Sequence, residues 1–239
     1  MSRRARFRRV LISAAMFWFA AVAFTRPATG RDSTTVAVPG DSASLRTDLV
    51  ELVTLDSTIR LDIRYATANN FMKRPMYAQA RAFLQRPAAL ALLRVHRVLR
   101  ARGYGLLVFD GYRPWSVTKK FWDETPPSKR AFVADPQKGS RHNRGCAVDL
   151  SLFDLRTGEE MQMPSPYDDF TGRASSRYAG GTQEQRRLRD LLRSAMEAEG
   201  FTIEPNEWWH FDYSDWRAYP ILNIPFERLN GKQVIRPPG

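Results

Sequence analysis

The chain has 239 residues, 43% of them hydrophobic and 26% charged, the make-up of one globular domain large enough to bury a core. That composition excludes a collagen, a coiled coil, a polytopic membrane protein and a wholly disordered chain. The formal charge is +12, from 37 Lys and Arg against 25 Asp and Glu, but Arg3, Arg4, Arg6, Arg8 and Arg9 all fall within the first nine residues, so the body is less basic than the total.

Directly after those arginines, Val10 to Phe24 is apolar except for Ser13. A basic start followed by a short apolar run reads as a secretory signal, and the run is shorter than the roughly 20 residues a bilayer span needs. Ala21-Val22-Ala23 offers a small-residue cleavage site, so residues 1–23 are expected to be a signal peptide with no stable membrane span after cleavage. Arg8-Arg9 before Val10-Leu11-Ile12 fits either a twin-arginine or a general secretion signal. Removing the signal leaves 32 Lys and Arg against 25 Asp and Glu, a net +7. No arginine-rich helix with interleaved aromatics argues for nucleic acid. The single cysteine, Cys146, rules out an intrachain disulfide in an exported protein and reads as a small buried residue.

Residues 24–48 are rich in Thr, Ser, Ala, Gly and Pro and read as a flexible tether, with one folded domain from 49 to 239. Leu49–Ile63 suggests one or two short strands, and Arg64–Phe71 an ordered loop. Ala88, Ala91, Leu92, Val95, Val98 and Leu99 recur at helical spacing, between Pro87 and Gly103. Leu106–Asp110 reads as a buried strand, and Gly111-Tyr112-Arg113-Pro114 as a turn into a second helix holding Val117 and Phe121. Val148–Phe153 alternates as a strand does. Glu184–Glu199 is a helix ended by Gly200, and Phe201–Ile203 and Trp208–Tyr213 are a pair of strands. The mixture lacks a βαβ rhythm and predicts an α+β fold.

The histidines are His96, His142 and His210. His96 lies on the flank of the first helix and reads as a packed or solvated residue. His142 precedes Asp149 by seven residues, and Glu207 precedes His210 by three. Each spacing alone is also that of a hydrogen-bonded surface pair. Together they supply two imidazoles and a carboxylate, the ligand set of a catalytic zinc site with an open position for water, plus a spare carboxylate to take that water's proton. His142, Asp149 and His210 are therefore expected to bind one zinc ion and Glu207 to act as general base. On a regular strand residues 207 and 210 face opposite ways, so the reading requires Glu207 to sit in an irregular segment after Pro205-Asn206, with the strand starting after it.

Arg113 follows a buried strand and reads either as a donor to a developing oxyanion or as the partner of Asp110 in a structural ion pair. Asp168 and Asp169 read as loop solvation or, for one of them, as a carboxylate holding a substrate ammonium. No G-x-S-x-G elbow, phosphate loop or H-E-x-x-H helix is present.

The segments RYATANNF (64–71), FDGYRP (109–114), SRHNRGCAVDL (140–150), MPSPYDDF (163–170) and EWWHFDY (207–213) resemble, in order, those of the D-alanyl-D-alanine dipeptidases of the vancomycin-resistance type. That resemblance implies a small α+β domain with a central antiparallel sheet flanked by helices. It implies zinc on His142, Asp149 and His210, Glu207 as acid and base, and Arg113 on the transition state. It places Asp168 near the substrate's amino end and matches Ser140 to the motif serine at the substrate site. The implied reaction is hydrolysis of D-Ala-D-Ala to two D-alanines in cell-wall turnover, by an exported, periplasmic or envelope-associated enzyme. Two departures are Met163–Asp168, which replaces the family's usual MGTxFD, and Cys146, where a small residue such as serine is common. Alternatives are a D,D- or L,D-carboxypeptidase trimming longer peptidoglycan peptides, and a zinc-stabilised binding module without turnover, against which Glu207 and Arg113 both argue.

Overall fold

The computed structural model describes residues 43–229. The expected signal (1–23), most of the expected tether (24–42) and residues 230–239 lie outside the described residues. Ordered contacts begin ahead of the expected boundary at 49. The amides of Ser44 and Leu45 donate to the Ala218 carbonyl, Thr47 is buried, and Asp48 pairs with Arg86 at 2.6 Å.

In chain order the elements are β1 (Leu49–Glu51), the single-turn α1 (Leu52–Leu55), β2 (Arg60–Leu61), β3 (Phe83–Gln85), α2 (Arg86–Arg100), β4 (Tyr104–Asp110), α3 (Trp115–Glu124), β5 (Ala147–Asp154), α4 (Gln183–Glu197), β6 (Phe201–Glu204) and β7 (Glu207–Tyr213). Strands β1 and β3 form a small antiparallel pair, and the main sheet runs β2-β4-β5-β7-β6. Its inner pairings are antiparallel as expected. The short edge strand β2 is parallel to β4, which makes the sheet mixed.

The long helices follow their sequence signals. Helix α2 carries Pro87 in its first turn, where a missing N–H costs nothing, and buries Ala88, Ala91, Leu92, Val95 and Leu99. His96 lies on the same buried face, its Nε2 2.9 Å from Thr58 Oγ1, and burial lowers its pKa. It is a core residue. Helix α4 opens with a capping box between Thr182 and Gln185. Leu106, Val108, Leu150, Leu152 and Phe211 form the centre of the core with these helices, and at about 1.5–3 kcal/mol per large apolar side chain their burial is a main stabilising contribution.

Strand β3 has no period in the sequence and was not anticipated. It links the domain's start to the two turns that carry the site. The Phe83 carbonyl accepts from Tyr112, and the Gln85 amide donates to the Gly145 carbonyl. Gly111 passes so close to β3 that a Cβ there would lie 2.8 Å from the Phe83 carbonyl oxygen.

Candidate metal centre and cleft

Two neighbouring strands and the turn ahead of one of them deliver the candidate ligands. Asp149 is on β5, directly opposite His210 on β7, and next to the end of β4 at Asp110. Alternation along β5 turns Val148 and Leu150 into the core and leaves Asp149 on the other face. His142 opens a turn of 3-10 helix that Gly145 closes in the left-handed conformation, φ +69°, before β5 begins. A side chain at 145 would also strike Leu49. The turn is fastened to the β4 exit, since Arg113 N donates to the His142 carbonyl and Asn143 Nδ2 donates to the Arg113 carbonyl.

His142 Nε2, His210 Nδ1 and Asp149 Oδ1 converge, separated by 3.1, 3.3 and 3.0 Å. Bonds of about 2.0–2.1 Å to a tetrahedral zinc place ligand atoms about 3.4 Å apart, so the spacing fits that ion. The outer contacts fix which nitrogens point inward. His142 Nδ1 donates to the Gly111 carbonyl at 2.7 Å and His210 Nε2 to Asp212 at 2.9 Å, leaving the inner nitrogens as acceptors that face a carboxylate oxygen. Tyr167 donates to the other Asp149 oxygen at 2.9 Å. Three acceptors facing one another are mutually repulsive unless a cation or proton lies between them.

Burial pushes the Asp149 carboxyl up, but His142 and His210 outweigh it and hold the group well below the usual carboxylate range. Burial likewise opposes charge on His210, yet hydrogen bonds to Asp149 and Asp212 keep its pKa well above the usual value. A metal held by the cluster would take the place of the proton that these hydrogen bonds favour on His210.

Glu207 is the first residue of β7, whereas the sequence called for a strand starting after it. The required irregularity lies inside the strand. Pairing with β6 jumps from Ile203↔Phe211 to Glu204↔Glu207, so residues 208–210 bulge, and the bulge reverses the alternation that would have separated Glu207 from His210. Glu207 Oε2 is 3.8 Å from His210 Nδ1. Its side chain keeps 29% of its surface toward the cleft, and burial by the walls, with the charges of Asp149 and Glu204, pushes its carboxyl up to about 7.

Arg113 forms the ion pair with Asp110 that the sequence raised as one reading, and it also faces the cleft. Its Nε and Nη2 donate to Asp110 Oδ2 at 3.0 and 2.7 Å, while Nη1 makes no hydrogen bond among the described residues and the residue lines the cleft. The guanidinium lies over Tyr65 and Phe121. Asp168 also lines the cleft, at φ +58°, accepting from Tyr65 OH through one oxygen while the other is buried without a partner. Burial and the charge of Asp149 push its carboxyl up to about 7. Ser140 is at the cleft wall, and its hydroxyl accepts from the His142 amide at 3.2 Å. Cys146 is buried, and its thiol is pushed up by that burial.

The sequence reading missed Tyr167, Asp212 and the Gly111 carbonyl, which orient the candidate ligands. Asp212 carried a signal, being two residues from His210 and hence on the same face of a strand. Tyr167 carried none, because a loop brings it to Asp149.

Two imidazoles and a carboxylate closing on one point, with a separate glutamate beside them in a cleft of about 560 Å³, define the class of a metal-dependent hydrolase on a mixed α+β scaffold. The Peptidase_M15 family model, described as D-ala-D-ala dipeptidase, matches residues 46–227, and the chain belongs to that family. It is 31% identical over 180 residues to a D-alanyl-D-alanine dipeptidase of Escherichia coli (strain K12), covering 75% of this chain and 92% of that one. It is 34% identical over 189 residues to a D-alanyl-D-alanine dipeptidase of Enterococcus faecium, covering 70% and 92%. Among solved structures it is similar to the vancomycin-resistance D,D-dipeptidase VanXYg in complex with a D-Ala-D-Ala phosphinate analogue. The identity there is 22%, the TM-score 0.40, and the match covers 57% of this chain and 53% of that chain.

Proposed function

We propose that this chain hydrolyses D-Ala-D-Ala to two D-alanines, with one zinc ion held by His142, Asp149 and His210. The observation that carries the reading is the convergence of three acceptor atoms 3.0–3.3 Å apart next to a glutamate whose carboxyl is poised near neutral pH. Zinc, when bound, supplies a Lewis acid that polarises the peptide carbonyl and lowers the pKa of water to about 7. Glu207 takes the proton of the attacking water and returns it to the amine of the leaving D-alanine, a shuttle suited to a group titrating near neutrality. Arg113, locked by Asp110, offers Nη1 to the developing oxyanion. Asp168 receives the substrate's ammonium, which supplies the counter-charge that its unpartnered oxygen lacks. Ser140 completes the wall at the substrate site, and Tyr167, Asp212 and the Gly111 carbonyl hold the ligands in register.

The basic start and apolar run of residues 1–24 support export to the periplasm or envelope and a role in wall-peptide turnover. Among the described residues no helix is long and apolar enough to cross a membrane. The cleft volume lies within the ~300–1,000 Å³ that holds drug-sized ligands, more room than a dipeptide needs, which favours keeping a carboxypeptidase acting on longer peptides as the second reading. The two separate when the full chain, loaded with zinc, is offered D-Ala-D-Ala and a pentapeptide ending in D-Ala-D-Ala, with free D-alanine measured. Release mainly from the dipeptide is expected. Faster release from the pentapeptide overturns the dipeptidase reading.

A further inference from the structure

A dipeptide at neutral pH is a zwitterion, and its carboxylate belongs to the D-alanine that leaves. The cleft wall is rich in negative charge, from Asp149, Asp168, Glu204 and Glu207. Its cationic side chains, the histidines aside, are Arg113 and Arg141. Arg113 is committed to Asp110 and the reacting carbonyl, so a carboxylate in the cleft has Arg141 as its remaining positive partner.

Arg141 is placed for that task. It stands between Ser140 and the ligand His142, and its guanidinium rests on the ring of Trp216 with Cζ 5.0 Å from the centroid. Nε is 3.3 Å from Asp212 Oδ2, yet among the described residues none of its nitrogens makes a hydrogen bond, and Nε is buried without one. The four N–H donors on Nη1 and Nη2, at the outer edge of the planar fork, are thus available to an anion, while Nε faces Asp212. The two charged anchors come from different flanks of the cluster. Asp168 follows Tyr167, which holds Asp149, and Arg141 lies by Asp212, which holds His210.

We infer that Arg141 anchors the free carboxylate of the leaving D-alanine and so makes the enzyme require an unblocked carboxyl end. This rests on the dipeptidase reading and adds to it a residue that selects substrate. Guanidinium bonds to a carboxylate contribute about 1.5–3 kcal/mol, so an amide in place of the carboxylate binds about tenfold to a hundredfold more weakly.

The test uses the full zinc-loaded chain carrying Glu207→Gln, so that bound substrate persists, titrated calorimetrically with D-Ala-D-Ala and with its C-terminal amide. The inference expects the acid to bind at least about tenfold more tightly than the amide. Adding Arg141→Gln is expected to erase that preference by weakening the acid alone, and Arg141→Lys to restore part of it. Zinc content and thermal unfolding of each variant separate anchoring from damage through Asp212. Equal loss for acid and amide, or a preference that survives Arg141→Gln, overturns the anchor. If the unsubstituted enzyme neither binds nor cleaves D-Ala-D-Ala, the dipeptidase reading itself fails, which is a different result.

Discussion

The floor of the cleft and its rim are held by different means. On the floor these side chains are each gripped by a polar partner: His142 by the Gly111 carbonyl, His210 by Asp212, Asp149 by Tyr167, Arg113 by Asp110. At the rim the grip is ring on ring. Phe132 stacks on Phe170 at 4.9 Å with planes 5° apart, Phe71 leans on Phe170 and Phe121, and Phe132 remains 40% exposed. Charged hydrogen bonds fix direction as well as distance, whereas stacked rings tolerate sliding. The contrast assigns geometry-critical chemistry to the floor and leaves the rim able to vary without moving the proposed metal ligands.

If that division holds, the largest effect comes from the floor. His142→Ala leaves two ligands of three, so zinc content is expected to fall to near zero and D-alanine release with it, checked by metal analysis of the purified variant. A variant with the parent's zinc content contradicts the ligand assignment. Next comes Arg113→Ala, which removes a preorganised donor and is expected to lower kcat about 10²–10³-fold with zinc retained. A change in KM alone would instead place Arg113 in ground-state binding. Tyr167→Phe deletes a single outer hydrogen bond to a ligand and is expected to weaken zinc affinity or activity about 10–100-fold, read by competition with a chelator. The smallest effect is expected at the rim. Phe132→Ala removes one ring pair, lowering stability by about 0.5–1.5 kcal/mol in denaturant titrations with little change in zinc affinity. A loss of zinc in that variant would show the rim and floor to be coupled after all.

How much of this was legible in the sequence divides along the same line. Strand alternation and helical spacing are local, so β4, β5, α2 and α4 fell where the apolar pattern put them, and Asp149 could be assigned to the polar face of its strand. The cluster of His142, Asp149 and His210 could be proposed from the sequence because only three histidines compete for the role. What escaped depends on distant pieces of chain meeting. β3 is three residues long and is defined by its pairing with the distant β1 and its bonds to Tyr112 and Gly145. The bulge at 208–210 was demanded by the chemistry but could not be positioned, because it arises from the register with β6. Tyr167 reaches Asp149 across 18 residues of chain. Residues 44–48 have a loop's composition, and their hydrogen bonds to Ala218, Gln85 and Arg86 come from distant parts of the chain.

The central claim is that metal binding and proton transfer reside in separate groups 3.8 Å apart, His210 with its partners and Glu207. Glu207→Gln in the full chain tests it most directly, with zinc per chain and D-alanine release from D-Ala-D-Ala measured on one preparation. The account predicts about one zinc per chain and at least about 10²-fold slower release. Release at the parent's rate, or a protein that has lost its zinc, would contradict it.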